Sequence, residues 1–569
     1  MELRTSIGAI VEGGTSVNYK TGSWREFRPF FVARLAPCRE ACPAGIDIAH
    51  FLWEVKQKRY DQAWKVIMKE NPLPSVCGRV CGHPCEQACN RNELDEPLAI
   101  CSLERFVGDY GQKNSMSVPT PKGQTMGMVA IVGSGPAGLS CAYHLRLLGY
   151  GVKVFERATL AGGMLRWGIP DYRLPRTILD KEIERLQDMG IEIQTNASIG
   201  REFLTEGLKE FNAIFLALGV SKDLSLGIPG EGSPGVISGL DFLRQTKEGK
   251  NPRLGNRVTV IGGGNTAIDV ARTALRLGSK PSILYRRTRS EMPAVAEEVD
   301  EALKEGASIE FLTSPIAITR RERNGMRMEC VRNRLDKIGP DGRRTLISIS
   351  DSNFSIDSDT TIVAIGETID PEWKEAWATV DEWGITSIPG VFAGGDLTGS
   401  PRTVSHAIGS GKKVAMAIDT FARKLDKGFT RPILLGSLGS LSMAQWMDPS
   451  SVTHRNNEVV KYKDLNHYYF EPMSRQRMPQ VSNRAMRINS FEEVNLGFSK
   501  EVAIQEAERC FQCGICSYCE NCYIFCPDSA AKIVDQHKVV EIDYEFCKGC
   551  GICAYECPSH FIEMVREEK

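Results

Sequence analysis

The stretch Val129-Ala130-Ile131-Val132-Gly133-Ser134-Gly135-Pro136-Ala137-Gly138 constrains this chain more than any other. A short apolar run ends at a glycine, a helix begins at once, and a second apolar run closes on Phe155-Glu156-Arg157, with the acid 23 residues after the first glycine. This is the strand, turn, helix and strand of a dinucleotide-binding unit in its full context. Gly133 allows the tight turn, Gly135 lets backbone reach a pyrophosphate, and Gly138 lets helix and strand approach. Glu156 is the acid expected on a ribose hydroxyl. Glycine-rich turns also occur in α/β proteins that bind no nucleotide, but here both the flanking strand and the acid are present.

The same grammar returns at Val258-Thr259-Val260-Ile261-Gly262-Gly263-Gly264-Asn265-Thr266-Ala267, with Ala267 in place of the third glycine. Its second strand, Ser282 to Tyr285, ends not on an acid but on Arg286-Arg287. An acid repels a 2'-phosphate and a guanidinium pairs with it, so this second unit leans towards NADPH over NADH. Two surface arginines closing a strand would read the same way, and that alternative stays open.

One such unit nested in another resembles the two-dinucleotide-domain flavoproteins, in which the first site holds FAD and the second the nicotinamide. In that resemblance Val391-Phe-Ala-Gly394-Gly395-Asp396, with Thr403 and Val404 opening a helix, is the second FAD segment. Asp396 is then expected at the ribityl chain, and the helix N-terminus at the flavin pyrimidine, where its positive end favours negative charge. Gly163, Met164, Leu165, Arg157 and Arg173 are further expected flavin contacts, while Gly219 and Gly366 sit where the chain crosses between the two domains. Cys141 and Cys330 are isolated in sequence, so no cysteine pair relays electrons beside the flavin.

Nineteen cysteines in a chain with no signal-peptide core and no apolar run of membrane-spanning length are read as metal ligands in a reducing, cytoplasmic setting. A formal net charge of -1 and the lack of a basic patch interleaved with aromatics argue against nucleic acid. At the C-terminal end, Cys516, Cys519, Cys522 and Cys526-Pro527 share their spacing with Cys547, Cys550, Cys553 and Cys557-Pro558, offset by 31 residues. This is the two-cluster ferredoxin run, in which the fourth cysteine of each half serves the other half. One 4Fe-4S cluster is expected on Cys516, Cys519, Cys522 and Cys557, the other on Cys547, Cys550, Cys553 and Cys526. Zinc also accepts Cys-x-x-Cys pairs, but eight cysteines in this duplicated pattern favour clusters.

Near the other end, Cys38-Arg-Glu-Ala-Cys42-Pro43, two expected helices (46–57 and 60–70), Cys77, Cys81, Cys85, Cys89, Cys101 and Glu104 resemble the N-terminal iron-sulfur domain of the glutamate synthase small subunit and of dihydropyrimidine dehydrogenase. The resemblance runs on to about residue 422 and implies two clusters here, one on Cys42, Cys81, Cys85 and Glu104, the other on Cys38 and Cys89. The Cys-x-x-Cys pair that precedes this domain in the relatives is missing from residues 1–37. Its expected substitute is Cys510 and Cys513, which follow Phe491-Glu-Glu-Val-Asn-Leu-Gly-Phe498 at the far end of the chain and would fold back, within the chain or from a second protomer. Otherwise they are spare thiols beside the ferredoxin domain. Fifteen cysteines and Glu104 supply sixteen ligands, enough for four clusters; Cys77, Cys101, Cys141 and Cys330 remain as thiols.

The expected architecture is an α/β two-dinucleotide-domain flavoprotein between an N-terminal α-helical iron-sulfur domain (1–120) and a C-terminal ferredoxin domain with two 4Fe-4S clusters (506–569). The FAD domain is expected at 126–231 and 366–422, the inserted NAD(P)H domain at 232–365, and a linker at 423–505. Such a chain is an enzyme that moves electrons between NADPH or NADH and a partner iron-sulfur enzyme or a ferredoxin, with no nucleophile or acid-base group expected and no membrane contact. The segment Thr21-Gly22-Ser23-Trp24-Arg25 and the ferredoxin run resemble the small subunit of 2-oxoacid:ferredoxin oxidoreductases, which names one candidate partner. A dissimilatory-type sulfite reductase is another. A bifurcating transhydrogenase subunit, a glutamate synthase small subunit, and a structural electron wire with a degenerate nucleotide site are the rival readings; a homodimer and a hetero-oligomer both stay open.

Overall fold

The computed structural model describes residues 20–119, 126–321, 325–339, 343–374, 379–399, 401–425, 433–451, 454–534 and 540–567. Residues 120–125, between the expected iron-sulfur and FAD domains, lie outside them.

The helical domain follows from its sequence period. In the helix Tyr60–Met68 the residues Tyr60, Ala63, Trp64 and Ile67 are all buried, an i, i+3, i+4, i+7 stripe. They pack on Phe51, Leu52 and Val55 of the helix Ile48–Lys56, which starts two residues later than its apolar pattern because Asp47 caps it by accepting from the His50 N–H. The helices Pro74–Val80 and Ile100–Lys113 cross closely at two glycines. A Cβ on Gly108 would fall 2.5 Å from the Ser75 nitrogen, and one on Gly78 would fall 2.3 Å from the Arg105 nitrogen.

Two five-stranded parallel sheets, alike in the arrangement of four of their strands, form the centre. In the first, Val391–Ala393, Ala213–Leu216, Met128–Val132, Gly151–Phe155 and Glu192–Gln194 lie side by side. The second runs Ser308–Phe311, Lys280–Tyr285, Arg257–Ile261, Thr360–Val363 and Val236–Ser238. The central strands are buried runs such as Ala130-Ile131-Val132 and Val258 to Ile261, as expected of parallel strands covered on both faces. The two chain crossings between the domains pair with each other, Lys222–Asp223 running antiparallel to Glu367–Thr368. An antiparallel layer of Thr313–Arg320, Met326–Ile338, Arg344–Ser348 and Phe354–Ser358 completes the second domain.

A buried ionic seam holds the two dinucleotide domains together. Arg173, expected at the flavin, instead reaches across to Asp269 at 2.8 Å and Glu298 at 3.2 Å on the second domain. The Arg276 guanidinium lies 3.7 Å from the centre of the Tyr172 ring and pairs with the fully buried Glu305. The side chain of Arg173 therefore serves domain orientation.

The first and last described strands pair with each other. Phe27–Phe31 pairs antiparallel with Ile562–Arg566, and Ala33–Leu35 runs parallel to His454–Val459. The Gly22 N–H donates to Glu545 O at 2.8 Å, and Arg25 pairs with Glu567 at 2.7 Å. The stretch expected to be a linker runs as a strap over the other domains. Ser442 and Met443 bind Glu70, Trp446 Nε1 donates to Asp419 at 2.9 Å, and Arg487 pairs with Glu301 at 2.5 Å. Among the described residues no helix is long and apolar enough to cross a membrane.

Candidate functional site

At the first glycine turn, Gly133 has φ +106 and its absent Cβ would fall 2.4 Å from Ala217 O, so no other residue fits. Space around Gly135 is open, and the helix Pro136–Leu147 starts there with proline in its first turn, its free N–H groups facing that space. Glu156 is buried, and its carboxylate accepts from the Ser134 N–H at 3.1 Å and the Ala158 N–H at 2.8 Å, which ties the acid to the turn. Gly163 closes the same pocket, since its Cβ would meet Gly135 Cα at 2.7 Å. Met164 and Leu165 open the short helix Met164–Trp167 behind it, with Leu165 buried, and Arg157 is exposed one residue past Glu156. Gly219, at φ +63 with open space around it, follows the strand Ala213–Leu216.

Opposite lies Gly395-Asp396, where a Cβ on Gly395 would fall 2.9 Å from the Ala137 Cβ. Burial raises the Asp396 carboxyl to about 6, and its Oδ1 is a buried atom with no hydrogen-bond partner. A flavin side chain rich in hydroxyl donors suits that orphaned acceptor. Thr403 caps the helix Val404–Arg423, accepting from the His406 N–H, and its hydroxyl lies 2.7 Å from His406 Nδ1. Burial lowers His406, in keeping with a packing histidine.

The second turn repeats the first. Gly262 has φ +143 with its Cβ position 2.0 Å from Ala364 O, Gly264 faces open space, and the helix Asn265–Arg276 begins there, with Ala267 buried where a third glycine would stand. Asn265 Oδ1 accepts from the Val295 N–H at 2.9 Å. Arg286 is exposed at the end of its strand, and Arg287 Nε is buried without a partner, a donor left over for an anion. Gly366, at φ +117, leads into a residue that sequence reasoning missed: Glu367, whose carboxyl faces Thr266, Arg402 and Asp396 and whose carbonyl accepts from Arg402 Nη1 at 2.6 Å. Burial raises its carboxyl above the usual range. It stands between the second glycine turn and the flavin segment, and only the preceding Gly366 hinted at it.

The cysteines gather into four groups. Cys42, Cys81 and Glu104 are electrostatic neighbours, and Cys85 in turn feels Cys42 and Cys81. Burial pushes Cys81 up to about 12 and Glu104 to about 8, a set of ligands that a positively charged iron centre would compensate. Asn71 Nδ2 donates to Glu104 at 2.7 Å. Cys38 is raised by burial and then by Cys89, Cys510 and Cys513, so the far-end pair does fold back onto the helical domain within one chain. Arg509 anchors it, fully buried and paired with Glu506 at 2.8 Å and Asp95 at 3.0 Å, and Asn90 Nδ2 donates to Cys513 Sγ at 3.4 Å. Arg91 lies over Phe511, between the two cysteines.

In the ferredoxin run, Cys516 and Cys522 each feel Cys519 and Cys557, while Cys547 and Cys553 feel Cys526 and Cys550. Cys519 and Cys550 are exposed. Among the described residues no three His, Cys, Asp or Glu side chains converge on a single-ion position. Cys77 is buried beside Glu104 and Cys81; Cys101 is half-buried and donates to Cys77 O; Cys141 and Cys330 are buried free thiols.

Residues 127–411 match the pyridine nucleotide-disulphide oxidoreductase family, residues 32–116 the dihydropyrimidine dehydrogenase domain II, 4Fe-4S cluster family, and residues 540–563 the 4Fe-4S binding domain family. The NADP(+)-dependent formate dehydrogenase subunit beta of Moorella thermoacetica is 37% identical over 86% of this chain and 71% of its own length. The NADPH-Fe(3+) oxidoreductase subunit beta of Geobacter sulfurreducens is 37% identical over 84% of this chain and 75% of its own. The NAD-dependent dihydropyrimidine dehydrogenase subunit PreT homolog of Salmonella typhi is 32% identical over 67% and 90%. Fold, sites and matches together define an NAD(P)H-dependent iron-sulfur flavoprotein that uses FAD and 4Fe-4S clusters in electron transfer. The chain belongs to the pyridine nucleotide-disulphide oxidoreductase family, although it lacks a cysteine pair beside the flavin segments.

Proposed function

We propose that this chain is the electron-exchange subunit of a larger enzyme, linking NADPH, in preference to NADH, to a partner iron-sulfur enzyme through FAD and four 4Fe-4S clusters. The observation that carries the reading is the serial arrangement of the four cysteine groups. Cys85 of the first feels Cys38 of the second, Trp53 beside the second stacks on Tyr518 of the third at 5.1 Å, and Cys522 of the third feels Cys553 of the fourth. When bound, FAD takes an electron pair and releases electrons singly, as carriers of one electron each require. The residues do the holding. The free N–H groups at Gly135 and Gly264 cradle the two pyrophosphates, Glu156 and Asp396 orient the flavin, and Arg286 with Arg287 selects the 2'-phosphate.

The partner reading that the chain supports best is a 2-oxoacid:acceptor oxidoreductase. Thr21 to Arg25 and the strand Phe27–Phe31 are built into the ferredoxin sheet, so the two pieces that resemble that enzyme's small subunit form one unit. A formate dehydrogenase partner is the second reading, favoured by the Moorella relative's name. The test is anaerobic. The purified protein should hold about sixteen irons, four for each cluster, and one FAD, and NADPH should bleach both chromophores. Replacing Cys510 and Cys513 together by Ser should remove about four irons; unchanged iron would overturn the shared ligand set.

A further inference from the structure

A cavity of about 230 Å³ lies between the two dinucleotide domains and the strap. The first domain contributes Asp171 and Arg176, the second Lys247 and Thr273, and the strap Phe491; no residue of either glycine turn or of Gly395-Asp396 lines it. It is smaller than the roughly 300–1,000 Å³ of pockets that take drug-sized ligands, so its occupant is a molecule of few heavy atoms. Lys247, the last residue of the helix Gly239–Lys247, is only 5% exposed. Its ammonium donates to Asp171, and Arg176 Nε donates to the same carboxylate at 3.0 Å. One carboxylate therefore answers two cations, and the side chains lining the cavity carry one positive charge in excess. A buried ammonium is costly unless its charge is matched. The helix end does not supply the match, because its last four carbonyls are taken: Arg244 O by the Glu248 N–H at 2.9 Å, Gln245 O by the Lys250 N–H at 2.9 Å, Thr246 O by the Gly249 N–H at 3.0 Å, and Lys247 O by Arg176 Nη2.

Thr273 points the same way independently. It lies on the helix Asn265–Arg276, is 1% exposed, and its hydroxyl has no hydrogen-bond partner among the described residues. A helical threonine can spend its hydroxyl on the carbonyl four residues back, as Thr246 does on Phe242 O at 3.0 Å. Thr273 leaves a buried polar group unspent at the cavity wall, which costs free energy until an occupant pairs with it. We propose that this cavity binds a small organic monocarboxylate, its carboxylate held by Lys247 and the Thr273 hydroxyl and its carbon chain set against Pro170, Leu243 and Phe491. The excess charge calls for one negative charge, and the apolar wall selects an organic acid over an inorganic anion. The loop 170–176 also carries Tyr172 and Arg173 of the ionic seam, so the occupant sits where the orientation of the two domains is held.

The experiment is equilibrium dialysis of the anaerobic holoprotein with radiolabelled butyrate, in saturating NADP+ so that butyrate does not enter the nucleotide sites, on wild type, Lys247→Met and Thr273→Val. Wild type is expected to bind one butyrate per chain with a Kd of about 1 mM, in line with so few heavy atoms. Lys247→Met should weaken binding about tenfold or more, since it removes a charge-assisted hydrogen bond, and Thr273→Val roughly fivefold. Thr273→Val keeps the side-chain shape and every charge, so it tests the site even where Lys247→Met does not fold. Butyramide, neutral and of the same shape, should compete poorly, and so should inorganic phosphate, which has no apolar part. Absence of saturable butyrate binding to wild type, equal affinity in wild type and Thr273→Val, or competition by butyramide as strong as by unlabelled butyrate overturns the proposal. Phosphate that displaces the label as well as unlabelled butyrate does overturns the assignment to an organic acid.

Discussion

Lys412 and Glu70 form an ion pair whose removal should be felt at every domain boundary around it. Both side chains are essentially fully buried and they meet at 2.6 Å. The ammonium also donates to Ala44 O and Leu441 O, and Glu70 accepts from Ser442 Oγ at 2.6 Å and the Met443 N–H at 2.8 Å. The pair thus joins the flavin-domain helix, the helical cluster domain and the C-terminal strap. Lys412→Met leaves a buried carboxylate without its cation and two buried carbonyls without a donor. Breaking a buried pair from one side costs about 3–5 kcal/mol. Glu70→Gln keeps the shape but leaves the ammonium uncompensated, so a loss of the same order is expected. The double substitution removes both charges and should recover about 2 kcal/mol relative to the sum of the singles. Urea denaturation of the anaerobic holoprotein, read by flavin fluorescence and by cluster absorbance separately, measures each variant. Single variants that lose under about 1 kcal/mol, or strictly additive effects, would refute the view that this pair clamps the three parts. The loss should also appear in function as flavin bleaching that no longer spreads to the clusters.

Two more outcomes follow from the nucleotide site. Replacing Arg286 and Arg287 by Ala should raise the KM for NADPH by tenfold or more, since removing charge-assisted bonds to phosphate costs about 1.5–3 kcal/mol, while leaving NADH little changed; equal effects on both would refute 2'-phosphate recognition. Glu367 ionises at higher pH than an ordinary carboxyl because it is buried, and Arg402, Asp223, Asp396 and Thr266 are the groups that face it. Below that pKa it is neutral beside the nucleotide phosphates, and above it repels them, so the KM for NADPH should climb as pH rises. Glu367→Gln should flatten that climb, and a profile identical to wild type would refute the role.

The glycine turns, the acid Glu156, the arginines after Tyr285 and the duplicated ferredoxin spacing were all legible in the sequence. Each is a short-range device: a turn, a helix start and a strand end lie within a few residues, so spacing alone dictates their geometry. What tertiary structure decided are contacts between residues hundreds apart. The spacing of Cys510 and Cys513 leaves two places for them, and the buried Arg509, paired with Asp95, ties their segment to the helical domain beside Cys38. Arg173 belongs to a motif expected at the flavin, yet Asp269 and Glu298 pull its charge into the domain seam. Glu367 carries no sequence signal, because an acid after a glycine is ordinary until the fold shows its neighbours. The stretch 423–505 read as a linker because its apolar residues are scattered without period. It buries them one at a time against different domains, an arrangement that no local pattern can encode.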